Sequence, residues 1–406
     1  MFRLCMVAAL SAAVSLPASA QRLGPPAERP RLEATADTND AQAYYERGVA
    51  EFEHDPEVAG AAFYWAARLN PGWGDPLYGR RAALLLRTPF LLNATFERDR
   101  RRLGSDEARR LDSLQFRALM LNPFLYRRLD RPMFIAYIVK NAEREHHSSG
   151  GMTRPEIEFE VQAYLTGASN QTRAWMEYGY GNFAASLRSY AQALGQSRDR
   201  PGVHLERARI FGMRAENDSA IAEFNAALSE LRKQDDKELV VFYESKALAE
   251  YSVGVLLEGA GKQKEAREAY GKALQEDLAY YPAHLRLGML AIGLKDTATA
   301  VSELGLATQL AEDEPYIRYM HGYALARANR LSDAIIELKK ATVLEPYYAL
   351  PNMLLGQLYE HLGKGPEAAA TYERFLALAP RGDPQRAIAE SRLKDVKEVL
   401  EFAPKP

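Results

Sequence analysis

The chain has almost no cysteine: the single one among its 406 residues is Cys5. One cysteine can form neither an intramolecular disulfide nor a cysteine-based zinc site. Long apolar runs are scarce as well, since no segment after the first twenty residues approaches the roughly eighteen apolar residues that a membrane-spanning helix needs. We therefore expect a fold that is held together by an apolar core, without a transmembrane segment.

A marked excess of charge of either sign is also absent. Lys and Arg total 52, Asp and Glu total 54, and the net charge is -2. Nucleic-acid-binding chains usually carry a clear positive excess, so nucleic acid is not an expected partner. Hydrophobic residues make up 47% and charged residues 26%, which is ordinary globular composition and excludes a wholly disordered chain.

The first residues have the pattern of a secretion signal. Arg3 precedes an uncharged apolar run at 4–16, and small residues then lead to Ala20. This order of charge, short apolar run and small residues is what a signal peptidase requires. We predict cleavage near Ala20 and export to the periplasm or the cell exterior. Residues 21–40 contain three prolines and no hydrophobic period, which predicts a linker or a disordered arm.

Small residues recur with a period of 34. Glycines stand at Gly254, Gly288, Gly322 and Gly356, and an alanine follows each of them twelve residues later. A fixed period of this length indicates a repeat of helix pairs. Two antiparallel helices cross closely only where the contact lacks bulk, so we expect the crossing at these small residues. A large residue should then fill the space toward the next pair.

The pattern resembles the tetratricopeptide repeat. In that family a small residue stands at position 8, alanine at 20, a large residue at 24 and proline at 32. Here Tyr270 and Tyr372 fall at position 24, and Pro346 and Pro380 at position 32. The resemblance covers about 41–75 and 167–382. It implies an all-α fold, a right-handed superhelical solenoid of antiparallel helix pairs whose concave groove binds protein or peptide.

The expected organisation has six parts. In chain order they are a signal peptide at 1–20, a linker or arm at 21–40, one or more repeats at 41–82, an irregular or degenerate helical section at 83–166, six repeats at 167–382, and a capping helix with a tail at 383–406.

The irregular section is rich in arginine. Residues 78–131 contain thirteen Arg, no Lys and six acidic residues. The cluster of Arg98, Arg100, Arg101 and Arg102 could contact an anionic surface. The other interpretation is a solvated helix face whose arginines pair with neighbouring acidic residues.

We find no assembled set of catalytic or metal-binding residues. Glu143 and His147 are four residues apart and could share a helix face, but no third ligand is evident. The stretch 259–262 lacks the first glycine and the final Ser or Thr of a phosphate loop, so a turn between two helices explains it better. The sequence therefore predicts no enzyme, no cofactor and no metal.

The candidate binding residues follow from the resemblance, which places certain positions of each first helix on the concave surface. They are Trp175, Tyr178, Arg209, Tyr251, Met289, Tyr316, Tyr319, Tyr323, Arg327 and Gln357. Aromatic and Met side chains offer adaptable apolar contact area, and Arg can orient a carboxylate. The tyrosines could instead pack on neighbouring helices.

These features together predict a non-catalytic scaffold or adaptor of the cell envelope, which binds a protein or peptide in its groove. Two alternatives stay open. One is an enzyme or ligand-binding role in 83–166, and the other is an assembly factor that associates with itself.

Overall fold

The computed structural model of the chain describes residues 28–97, 106–145, 152–233 and 245–402. Within these ranges every regular element is an α-helix and no strand occurs, which confirms the all-α class. The predicted signal peptide lies outside the described residues.

Seven helices precede the regular repeats. They are α1 (Ala41–Glu51), α2 (Pro56–Leu69), α3 (Asp75–Arg87), α4 (Pro89–Glu97), α5 (Asp106–Leu121), α6 (Asp130–Glu145) and α7 (Arg154–Thr166). Helices α1 and α2 form one antiparallel pair, and α3 packs against both α2 and α5. The 34-residue register breaks here because α4 and the residues around it stand between the two helices of the α3/α5 pair.

Six consecutive helix pairs follow, and we call them the array. They are α8/α9 (Asn170–Gly179, Phe183–Leu194), α10/α11 (Arg200–Met213, Asn217–Leu231), α12/α13 (Lys246–Gly259, Gln263–Glu276), α14/α15 (Tyr281–Gly293, Thr297–Leu310), α16/α17 (Pro315–Arg327, Leu331–Leu344) and α18/α19 (Leu350–His361, Gly365–Leu378). The last helix, α20 (Gln385–Phe402), packs on α19 and buries Ala389 and Val396 there.

The crossing within each of the last four pairs of the array places a glycine against a large side chain, whereas the first two pairs have Ala174 and Ala208 at this position. A Cβ atom on Gly254 would lie 2.4 Å from the Tyr270 ring, and one on Gly356 would lie 2.6 Å from Tyr372. Because such distances are shorter than any ordinary carbon contact, the two helices can approach this closely only without a side chain there. The large residue thus fills the crossing of its own pair. From the sequence we expected it to fill the space toward the next pair.

The turn inside each pair of the array has a left-handed residue at the same repeat position. These residues are Gly181, Ala215, Gly261, Lys295, Asn329 and Gly363. Gly261, with φ of 74°, lies between α12 and α13. The glycine-rich stretch at 259–262 is therefore a helix-to-helix turn and not a phosphate loop, as the sequence predicted.

No helix in the described part of the chain combines the length and the hydropathy that crossing a membrane would require.

Replacing Gly254 by Val should lower the free energy of unfolding by about 3 kcal/mol, because the added methyl groups would force apart a packed helix crossing. Valine is the sharper test, since two other pairs, with Ala174 and Ala208, accommodate one methyl group at this place. Urea denaturation followed by circular dichroism measures the change.

The control is Gly271→Val, because a Cβ atom on Gly271 would meet nothing within 4 Å. We expect it to change the stability by no more than about 0.5 kcal/mol. Equal losses in the two variants would contradict the crossing as described.

Candidate functional site

The first helices of the six pairs form the inner surface of the array, and the N-terminal helices of the same chain lie against it. We call the described residues 28–97 and 106–145 the N-terminal unit. It contacts the first helix of each of the first five pairs, from α8 to α16, and the residues directly before α18, the first helix of the sixth pair. The surface that the resemblance assigns to a partner is thus partly covered by the chain itself.

The first pair of the array meets α6 and the residues before it. The Tyr178 hydroxyl accepts a hydrogen bond of 2.8 Å from the Arg127 backbone N–H, and the Tyr178 ring stands edge-on to Tyr126. Burial raises the pKa of Tyr178 to about 12, so its hydroxyl stays neutral at physiological pH. The Trp175 ring lies 4.9 Å from the ring of Phe134, in an edge-to-face arrangement.

A buried network of charges joins the second pair to the N-terminal unit. Arg127 Nη2 donates to Glu206 Oε2 at 2.7 Å, and Arg209 Nη1 donates to Glu206 Oε1 at 3.0 Å. Burial disfavours the Glu206 carboxylate, but attraction to the two arginines outweighs this and lowers the pKa of Glu206. Nearby, the Tyr78 hydroxyl donates to Asp130 Oδ1 at 2.8 Å. Such a network stabilises one specific arrangement, because separating the two units would part Arg127 from Glu206, and both charges are shielded from water.

The middle of the array meets the C-terminal end of α5 and the residues after it. Tyr251 is fully buried, and its hydroxyl donates to the backbone carbonyl of Met120. The Phe124 ring lies against Gly212 so closely that a Cβ atom there would be 2.5 Å from it. Large side chains of one unit therefore fit against backbone of the other, as in a protein core.

Further along, α5 and the turn before α3 reach the fourth and fifth pairs. Arg117 Nη2 donates to Glu314 Oε2 at 2.8 Å, just before α16. Gly72 lies against Tyr316, since a Cβ atom on Gly72 would be 3.0 Å from that ring. The Tyr316 hydroxyl in turn lies 3.9 Å from the Met289 sulfur.

The contact ends at the last pair, where α2 meets the residues before α18. The Trp65 and Tyr347 rings are 4.9 Å apart, and Arg68 Nε lies 3.0 Å from Glu345 Oε2. The Arg68 guanidinium also stacks 4.5 Å from the centre of the Tyr347 ring. Because residues 68 and 345 are 277 positions apart, this contact brings the two ends of the solenoid together.

Within the described residues part of the inner surface stays open, namely α16 from Tyr319 onward and the C-terminal half of α18. We call Tyr319, Tyr323, Arg327 and Gln357 the open face. Arg327 and Gln357 are exposed, and the two tyrosines are half-buried. The Tyr319 ring stands edge-on to Tyr348, and burial raises the pKa of Tyr319 to about 12.

The ten candidate residues thus fall into two groups. Six lie at or beside the contact with the N-terminal unit: Trp175, Tyr178, Arg209, Tyr251, Met289 and Tyr316. The other four make up the open face. For them, partner binding stays a prediction.

The arginine-rich stretch contributes several residues that the sequence alone did not single out. Arg117 and Arg127 pair with acidic residues of the array, and Arg80 stacks 4.5 Å from the centre of the Tyr64 ring. Burial lowers the pKa of Arg80 to about 10. The four arginines proposed to contact an anionic surface, Arg98, Arg100, Arg101 and Arg102, lie outside the described residues.

The other sequence candidate concerned a metal. Within the ranges that the structure describes, no three His, Cys, Asp or Glu side chains are grouped so that they could hold a metal ion. Glu143 lies near the end of α6, whereas His147 lies outside the described residues.

Truncating Glu314 to Ala should lower the free energy of unfolding by about 3 kcal/mol, because the shielded Arg117 guanidinium would lose its partner. The matched control is Glu158→Ala, which removes an exposed pair with Arg154 and should cost no more than about 0.5 kcal/mol. Urea denaturation compares the two, and a Glu314 variant as stable as the control would contradict the packing of the N-terminal unit on the array.

Comparisons with known proteins agree with the helix-pair geometry. A sequence model of the tetratricopeptide repeat family matches residues 319–387, and no curated protein matches the chain. Among solved structures, the chain is similar to YrrB, a tetratricopeptide-repeat protein described as having an unusual peptide-binding site. The two sequences are 21% identical, and the match covers 51% of this chain and 100% of YrrB, with a TM-score of 0.41.

Two further similarities are of the same order. The C-terminal part of a tetratricopeptide-repeat protein from Cytophaga hutchinsonii shows 15% identity over 57% of this chain and 86% of the other, with a TM-score of 0.45. MamA from Desulfovibrio magneticus shows 15% identity over 51% and 98%, with a TM-score of 0.36. The family match identifies tetratricopeptide repeats in residues 319–387, and the helix pairs of the described chain form an all-α solenoid.

Proposed function

We propose that this protein is a non-catalytic scaffold that binds a protein or peptide partner through the open face and acts in the cell envelope after export. The observation that supports this most is that the chain covers the inner surface near α8 to α14 with its own helices, yet leaves Tyr323, Arg327 and Gln357 accessible.

The chemistry of the open face suits a peptide segment. Tyrosine and arginine are the residue types that contribute most to binding energy at protein interfaces. Tyr319 and Tyr323 offer rings with a polar tip, and Arg327 is free to reach a carboxylate or a backbone carbonyl. Gln357, one helix pair further on, adds an amide that can both donate and accept hydrogen bonds.

The filled interior favours this role because it makes the open face rigid. An empty solenoid can bend, and a partner must then bear the free-energy cost of fixing its shape. Here contacts such as Arg68 with Glu345 and Arg117 with Glu314 hold the array from within. A partner would meet a surface that is already in its bound form.

The same packing weighs against an enzyme in the irregular section. The described helices α5 and α6 are committed to contacts with the array through Phe116, Arg117 and Phe134. A side chain that supports the fold in this way is not available to substrate. Export rests on the sequence of residues 1–20 alone.

The triple variant Tyr323→Ala, Arg327→Ala and Gln357→Ala tests the proposal. The immobilised mature chain is exposed to an envelope extract, and retained proteins are identified by mass spectrometry. We expect the parent to retain a partner that the variant loses, with at least about tenfold weaker binding when the purified partner is titrated.

The matched control is the double variant Ile336→Ala and Val343→Ala, which changes two exposed apolar side chains on α17. It should retain the partner as the parent does. Retention by the open-face variant, or loss by both variants, would contradict binding through the open face.

A further inference from the structure

The described chain begins with a segment without helix that crosses between the two ends of the solenoid. Residues 28–40, which we call the arm, contain no helix. Asn39 Nδ2 donates to the Ala377 carbonyl at 2.9 Å, and the Arg381 backbone N–H donates to Asp37. The arm therefore connects the residues before α1 to the end of α19, 338 positions later in the chain.

At its start the arm places Arg29 among three aromatic rings. The guanidinium carbon lies 4.8 Å from the centre of the Trp65 ring, 5.4 Å from that of Tyr44 and 5.8 Å from that of Tyr347. Arg29 Nε also donates to the Tyr44 hydroxyl at 2.9 Å. We call Tyr44, Trp65 and Tyr347 the aromatic box. Two of its walls belong to the first helix pair, and the third belongs to the residues before the last pair.

Arg68 lies against the same rings but is held differently. Its guanidinium is 4.8 Å from the centre of Trp65 and 4.5 Å from that of Tyr347, and Glu345 neutralises it through two oxygens. Arg29 has no carboxylate partner within the described part of the chain, and its hydrogen bonds go to the Tyr44 hydroxyl and the Thr38 carbonyl. Arg29 can therefore leave the aromatic box without breaking an ion pair, whereas Arg68 cannot.

We propose that the aromatic box is a binding site for an arginine side chain, and that Arg29 fills it from within the chain so that the arm latches the first helix pair to the last. Aromatic rings attract a flat guanidinium through their negative faces and stack on its plane, which an ammonium group cannot do. The site therefore selects arginine over lysine. Because its walls come from both ends of the solenoid, filling it holds those ends together.

Hydrogen exchange of the full chain tests the latch. In Arg29→Ala, amides of α2 and of residues 345–361 should exchange at least about tenfold faster than in the parent, since the ends would separate more often. Arg29→Lys should behave like Arg29→Ala, because the charge stays but the stacking plane is lost. The matched control is Arg31→Ala, which removes an exposed arginine of the same arm and should leave exchange unchanged.

A free amino-acid amide added to the Arg29→Ala chain tests whether the aromatic box prefers arginine to lysine. N-acetyl-arginine amide, added to the Arg29→Ala chain, should restore much of the lost protection, whereas N-acetyl-lysine amide at the same concentration should not. Exchange in Arg29→Ala equal to that in Arg31→Ala would overturn the latch. Equal effects of the two amides would overturn the selectivity of the box for arginine. None of the three substitutions changes a residue of the helix pairs, so each variant should still unfold in a cooperative transition, which urea denaturation checks.

Discussion

Helices of the same chain cover much of the inner surface of the array, through contacts such as Tyr251 with Met120 and Arg127 with Glu206. Stacked helix pairs leave one side lined by the first helices, and in this chain that side carries large aromatic residues such as Tyr178 and Tyr251. Apolar surface of this size is stable in water only if something covers it. The N-terminal unit does so with side chains that fit against backbone, as Phe124 does at Gly212. The solenoid is therefore closed on itself and not an open spiral.

Charge adds to the specificity of this packing. The fit of side chains such as Phe124 against backbone already limits how the N-terminal unit can sit on the array. Pairs such as Arg127 with Glu206 and Arg117 with Glu314 are satisfied in one register only. Since an unpaired charge at a shielded site is strongly unfavourable, these pairs exclude the alternatives. Arg117 and Arg127 of the arginine-rich stretch 78–131 thus have their partners inside the molecule.

The sequence predicted the helix pairs because their signal is local and repeated: a glycine every 34 residues and an alanine twelve residues after each of them. It could not predict the partner of the inner surface, because nothing in the spacing of Trp65, Arg68, Glu345 and Tyr347 shows that residues 277 positions apart meet. The candidate residues were chosen as surface for an outside ligand, and the same aromatic types serve equally well against the chain itself. Gly72 and Gly212 lie outside the repeat pattern and were the available hint, because each permits a close approach of the two units.

The most direct test of this account is a cross-link between the two units. In a chain with Cys5→Ser, cysteines are placed by Gly72→Cys and Tyr316→Cys, whose parent residues are in contact, and a short bis-maleimide is added to dilute protein. The account predicts a rapid cross-link within one molecule, identified by mass spectrometry, and none in either single-cysteine chain. Cross-links that form only between molecules, or not at all, would show that the N-terminal unit does not lie in the array.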